Sequence, residues 1–187
     1  MTEISRFPVP SIDELPDDLR EIVLAVQERT GFVPNVFLVL AHRPAELRAF
    51  IAMHDALMDK KEGLTKAERE MIVVATSALN DCLYCVVAHG AILRIRAKDP
   101  LLADQLAVNY KKAPLSERER LMIEFAIKTA VDSGALDDDD FTRMREAGFS
   151  NDEIWDIGAI TAFFAYSNRM ANLTSMMPNP EFYGMGR

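Results

Sequence analysis

Cysteine is scarce in this chain, as are the features that would tie it to a membrane or to nucleic acid. Only two cysteines occur among 187 residues, so no disulfide framework of the kind that staples small secreted domains can be built. Basic charge never gathers either. The formal net charge is −8, and with Lys and Arg interspersed among acids there is no field to hold phosphates, which excludes nucleic acid and anionic membrane as expected partners. The longest uncharged apolar stretch, Ile157 to Asn168, is too short to cross a bilayer. The start, Met1-Thr-Glu-Ile-Ser-Arg-Phe-Pro, lacks the basic and apolar segments of a secretory leader. A cytoplasmic protein is expected, one whose partners are small molecules or proteins. Strand signals are missing as well, since no stretch sustains period-two alternation between turn dipeptides.

What is present is helical throughout, which predicts an all-α protein with one domain over residues 1–187. An extended arm, Phe7 to Pro10, leads to the capping box Ser11-Ile-Asp-Glu14 and a helix from about Pro16 to Thr30 that Gly31 ends. Pro34 opens a short apolar helix to about His42. Pro44 opens another through Met58, with Leu47, Phe50, Ile51, His54 and Leu57 on its apolar stripe. This stripe predicts His54 on the buried face, as a hydrogen-bonded core residue that borders a pocket. After the charged turn Asp59 to Gly63, Thr65 and Glu68 cap a strongly apolar helix to about Leu79. Asn80 or Asp81 is the expected N-cap of the next helix, roughly Cys82 to Ala97.

Part of the chain repeats. Leu64-Thr-Lys-Ala-Glu68-Arg-Glu70-Met71-Ile72 aligns without gaps on Leu115-Ser-Glu-Arg-Glu119-Arg-Leu121-Met122-Ile123. Ser133, Leu136 and Asp140 then stand opposite Cys82, Cys85 and His89, and Leu121 opposite Glu70. The second copy is therefore structural. It runs through Asp138 to Glu146 and past Gly148 to a long apolar helix that Ser150 and Glu153 cap. The architecture expected is two packed helical hairpins behind an N-terminal helical extension: residues 1–60 as arm and helices, 64–97 as the reactive hairpin, 115–175 as its degenerate copy with the last helix.

Chemistry concentrates in Cys82-Leu-Tyr-Cys85-Val-Val-Ala-His89. On a helix all three side chains share one face: a thiol that can ionise, a second that can trap it, and an imidazole that can move the proton. A cysteine in the first turn also feels free backbone N–H groups, which favour the thiolate that attacks. Peroxide reduction needs such a nucleophile, an acid for the departing alkoxide and a resolving thiol. Glu70, in the apolar helix beside Val73 and Val74, is a further candidate, able to anchor a proton relay through His89.

Glu70, eleven residues, then Cys82-x-x-Cys85-x-x-x-His89 resembles the motif of the AhpD-like alkylhydroperoxidases of the carboxymuconolactone decarboxylase superfamily. The Pro-rich start, Thr30-Gly-Phe-Val-Pro-Asn-Val36, Tyr84 between the cysteines and the late pair Asn168-Arg169 are similar to its peroxidase-related branch. The resemblance implies an all-α AhpD-like fold, Cys85 as the attacking thiol, Cys82 as the resolving one, and Glu70 and His89 as proton relay. It also implies assembly into homodimers or hexamers, and the very apolar helix Ile154 to Met170 suits a subunit contact. Tyr84 departs from the best-known motif, which has a histidine there; with His54 it is expected at the pocket.

The reading that results is a thiol-dependent peroxidase acting on alkyl or hydrogen peroxide without cofactor or metal, recharged by an external dithiol of protein or lipoyl type. Two alternatives stand beside it: a disulfide reductase or electron relay for a protein partner, and a non-catalytic oligomer in which the pair senses redox state or a metal. Zinc could draw on Cys82, Cys85, His89 and either Glu70 or His54. A structural disulfide would close so small a loop that it adds at most about 2 kcal/mol. Decarboxylation of a muconolactone, the other chemistry of the superfamily, would leave the cysteines without a role.

Overall fold

The computed structural model describes residues 4–187 and is helical along its length, with no strand among them. Ten α-helices follow in order: α1 (Asp17–Thr30), α2 (Asn35–Leu40), α3 (Pro44–Met58), α4 (Lys66–Leu79), α5 (Leu83–Ala97), α6 (Leu102–Asn109), α7 (Glu117–Asp132), α8 (Asp138–Glu146), α9 (Asn151–Thr174) and α10 (Glu181–Gly184). None is long and apolar enough to cross a membrane.

α4 is the axis of the molecule. Every residue from Glu68 to Ser77 is buried, as expected of a helix apolar around most of its circumference, and α5, α6, α7 and α9 all pack against it. The main core therefore joins Met71, Ile72, Val73 and Val74 of α4 to Met122 and Ile123 of α7 and Ile157, Ile160 and Phe164 of α9. The helices start where side chains answer free N–H groups: Thr65, Ser116 and Ser150 each accept from the third residue of the helix, while Glu68, Glu119 and Glu153 reach back. Arg118 ties two of these caps together, pairing with Glu68 and with Glu153 at 3.0 Å.

Several elements differ from the sequence reading. The box Ser11–Glu14 closes a short 3₁₀ turn of its own, while α1 starts from Pro16 and ends at Gly31 as expected. The second copy diverges once α7 is complete: Ser133–Ala135 forms a 3₁₀ turn, and α8 buries only Met144. With so little apolar surface on α8, it is α9 that supplies the main partner of α7. α6, α10 and the segment that carries α10 were not foreseen. That segment is pinned by a buried guanidinium, Arg94 donating to the carbonyls of Phe182 and Met185 at 2.8 Å. Gly186 follows with φ +72°, and any Cβ there would lie 2.8 Å from Cβ of Arg94. The Thr30–Val36 segment docks on the same strap: Asn179 Oδ1 accepts the Asn35 N–H at 2.7 Å, and Asn35 Nδ2 donates to the Met177 carbonyl at 2.8 Å.

Candidate active site

The α4–α5 turn sets the reactive side chains. α4 ends at Asn80, Asp81 takes a left-handed φ of +50°, and the Cys82 N–H returns to the Ser77 carbonyl at 3.1 Å. Asn80 and Asp81 are thus consumed in closing α4, and the expected cap passes to Cys82. Its Sγ accepts the N–H of Cys85, the third residue of α5, at 3.4 Å. A thiol caps poorly; a thiolate in that place accepts a backbone N–H and meets the positive end of the helix.

Both cysteines are free, and both are buried, at 0% and 1% exposure. Val39, Tyr84, Ala88, Ala91, Ala171, Met176 and Phe182 enclose them. Polar groups enter from α9, where Ser167 Oγ lies 3.7 Å from Cys85 Sγ. The two thiols are driven apart. Cys82 is lowered to about 7, first by the hydrogen bond from Cys85, then against burial by the Cys85 N–H, the Asn168 amide and the charge of His89. Cys85 is pushed well above the usual thiol range, first by that same bond to Cys82, then by burial and the adjacent charge. The resemblance implies Cys85 as the attacking thiol, whereas these surroundings place the resting charge on Cys82.

Glu70 and His89 meet across α4 and α5, Glu70 Oε2 to His89 Nδ1 at 2.7 Å. Phe164 stands edge-on to the imidazole with centroids 4.7 Å apart, fixing its plane. The contact through Nδ1 leaves Nε2 as the working nitrogen. Replacement of Glu70 by Gln keeps the shape and removes the charge, so little change in the melting temperature is expected; thermal unfolding checks this.

Tyr84 lies in the thiol cluster, but its hydroxyl accepts the Val36 N–H at 3.2 Å and its ring packs edge-on against Phe182. Burial raises this phenol above its usual range, so it stays protonated and anchors α2 to α5. His54 stands apart from the thiols. Its side chain is 35% exposed and pairs with Asp55 at 3.1 Å, and Phe163 and Phe164 form the aromatic chain between it and His89. The stripe containing His54 is only partly covered: Leu47 and Leu57 at its two ends are buried, while Phe50, Ile51 and His54 between them are half-buried, Phe50 and His54 both against Phe163 of α9. A cavity of about 250 Å³ opens between α2 and α9, lined by Phe7, Val39, Leu40, Tyr166, Met170 and Leu173 among others. Val39 belongs also to the cluster around the thiols. Neither Tyr84 nor His54, both expected at a pocket, lines it.

Among the described residues no three His, Cys, Asp or Glu side chains converge as metal ligands, and Glu70 already occupies one nitrogen of His89. Ser77 and Ser167 were missed in the sequence, and Asn168 was noticed only through resemblance. The signal available was a polar pair, Ser167-Asn168, inside the apolar run of α9.

A bundle of this kind, with paired cysteines opening a central helix and a buried Glu–His couple beside them, defines an AhpD-like protein. The family model for the carboxymuconolactone decarboxylase family matches residues 44–100, a span that takes in Glu70, both cysteines and His89. The crystal structure of an alkylhydroperoxidase AhpD core, an uncharacterized peroxidase-related protein from Ralstonia eutropha JMP134, is 62% identical; the match covers 100% of this chain and 98% of that one, with a TM-score of 0.99. An uncharacterized peroxidase-related protein from Silicibacter sp. TM1040 is 42% identical, covering 100% and 97%, at 0.94. The debrominase Bmp8 shares the fold at 18% identity, covering 97% and 95%, at 0.76. No curated protein matches. The chain belongs to the AhpD-like group of the carboxymuconolactone decarboxylase superfamily, and it is peroxidase-related.

Proposed function

We propose that the protein is a thiol-dependent peroxidase that reduces alkyl or hydrogen peroxide through a Cys82–Cys85 dithiol/disulfide cycle. The observation that carries this reading is the Cys82 sulfur capping α5, drawn toward thiolate, with the Glu70–His89 couple beside it. The thiolate attacks one peroxide oxygen; an S–O bond forms, the O–O bond breaks, and the alkoxide leaves with a proton from the His89 imidazolium. Neutral His89, one turn beyond Cys85, then takes the Cys85 proton. Cys85 attacks the Cys82 sulfenic sulfur, hydroxide departs and is protonated to water, and the disulfide closes. An external dithiol of protein or lipoyl type reduces it and restores both protons. No cofactor or metal enters the cycle.

Free-thiol titration before and after one equivalent of peroxide tests this directly. Loss of both thiols with one disulfide formed per peroxide is expected; unchanged thiols would refute the reading. Turnover with a model disulfide in place of peroxide would favour a reductase instead.

Access follows from burial. In this reading the alkyl group enters by the cavity between α2 and α9, with Val39 as the wall shared with the thiols. Leu173 is 56% exposed at its edge, so Leu173→Trp narrows the cavity with little effect on stability. The rate with cumene hydroperoxide is expected to drop about tenfold and that with hydrogen peroxide to hold; equal losses on both would rule out this route.

A further inference from the structure

Buried threonines on these helices share a habit. Thr76 of α4 donates to the Ile72 carbonyl, and Thr161 and Thr174 of α9 donate to those of Ile157 and Met170, each one turn back on the same helix at 2.8 Å. Such a bond satisfies the hydroxyl within its own helix and asks nothing of a neighbour. Ser167 departs from this pattern. It is buried on α9 between Thr161 and Thr174, yet among the described residues its oxygen has one partner, and that is Cys85 Sγ at 3.7 Å, not the Phe163 carbonyl one turn back. A buried hydroxyl hydrogen needs an acceptor, and a hydroxyl donates better than a thiol, so Ser167 is the donor and the sulfur the acceptor. Alanine would suit the helix better at this place. What serine adds is the hydroxyl, and the hydroxyl goes to the sulfur.

We propose that Ser167 is a catalytic residue of the thiol cycle, donating a hydrogen bond to the Cys85 sulfur and steadying the negative charge there whenever Cys85 acts as a thiolate. Cys85 passes through that form in either order of events: as the thiol that strikes peroxide, or as the one that closes on the sulfenic sulfur of Cys82. The role therefore rests on the dithiol/disulfide cycle proposed above and not on which cysteine attacks first. No proton leaves Ser167 at any step. Cys85 needs a donor more than Cys82 does, because Cys82 accepts the N–H of Cys85 as the cap of α5, whereas the Cys85 sulfur is enclosed by the cluster and burial favours its neutral form. The titratable groups around it are Cys82, Tyr84 and His89 on α5, with Glu70 of α4 paired to His89. α9 brings the neutral Ser167 and Asn168, and α2 and the C-terminal strap bring Val39, Met176 and Phe182. Against burial and the adjacent Cys82, the Ser167 hydroxyl is the foremost influence drawing Cys85 back toward thiolate. When the disulfide closes, the electron pair of that sulfur enters the S–S bond, and the hydroxyl is released to the Phe163 carbonyl.

The test reads the sulfur itself, with no peroxide present. In the full chain carrying Cys82→Ala, cysteine enriched in carbon-13 at Cβ labels Cys85 alone, and its NMR shift against pH gives the midpoint of ionisation without a reagent having to enter the cluster. Adding Ser167→Ala is expected to raise that midpoint by about one pH unit, which makes the thiolate fraction about tenfold smaller at any pH well below it. Thr161→Val removes a buried hydroxyl of α9 that serves its own helix, and is expected to leave the midpoint where it was. Equal midpoints with and without the Ser167 hydroxyl, in chains of native helicity, would overturn the proposal, as would an equal rise in Thr161→Val. So would a Cys85 that, with Ser167 present, never ionises in the range where the chain stays folded. Should the doubly substituted chain not fold, Cys82→Ser, which restores a cap to α5, replaces Cys82→Ala and the same comparison decides. The expected rise, found in a protein whose thiols peroxide leaves unchanged, would remove the peroxidase reading and keep the Ser167 hydroxyl on Cys85.

Discussion

Replacement of Cys82 by Ser is expected to end peroxide consumption, whereas Cys85→Ser is expected to consume one equivalent and stop. The difference follows from where the charge rests. Cys82 accepts the Cys85 N–H as the cap of α5 and lies near the charge of His89; a serine hydroxyl in its place has no accessible anion and cannot accept oxygen. With Cys82 intact and Cys85 gone, the sulfenic acid forms but has no thiol to close on, so a dimedone-type probe captures it at Cys82. In wild type the second-order rate rises with pH through about 7 and then levels, as the reactive form is the deprotonated one. If Cys85→Ser abolishes the first step while Cys82→Ser retains it, the attack belongs to Cys85, as the family resemblance implies.

A second large effect lies away from the chemistry. Arg69, fully buried at the start of α4, donates Nε to the Leu64 carbonyl at 3.2 Å and Nη2 to that of Glu62 at 3.0 Å. Its Nη1 serves the Leu57 carbonyl at 2.8 Å and Asp156 Oδ2 at 3.0 Å. Among the described residues Asp156 has only Lys60 besides, at 2.6 Å. Arg69→Ala strands three carbonyls and half of a buried carboxylate, and removes the brace that holds the α3–α4 turn against α9. A loss of about 3–5 kcal/mol is expected, read as a fall in Tm on the order of 10 °C. Lysine should not rescue it, since one ammonium cannot reproduce the planar fork. A double variant with Asp156→Asn should lose less than the two single losses combined, because they break one network. A Tm within a degree or two of wild type for Arg69→Ala would show that the turn finds other partners.

Much of this protein was legible because it depends on interactions within one or two helical turns. Thr65, Ser116 and Ser150 announce α4, α7 and α9 through boxes closed by a residue three positions on, and Gly31 ends α1 with a φ of +85°. The spacing of Cys82, Cys85 and His89 puts them on one face of α5 for the same reason. Glu70 was suggested by resemblance more than by its own surroundings, since its partner His89 is supplied by the next helix. His54 misled because an apolar stripe tells which face can be covered, not how far a neighbour extends over it.

By itself the sequence determined an all-α chain, its main helix starts and one reactive turn, all consequences of short-range capping and periodicity. Tertiary structure alone decided that the thiols are sealed beneath α2, α9 and the C-terminal strap, and that Asn168 is held between Asn80 and Ser77. These outcomes join side chains more than eighty positions apart, such as Ser167 with Cys85 and Asn168 with Asn80. Burial and the competition for hydrogen-bond partners are set only once the helices pack, and no periodicity in the chain encodes which groups then stand opposite each other.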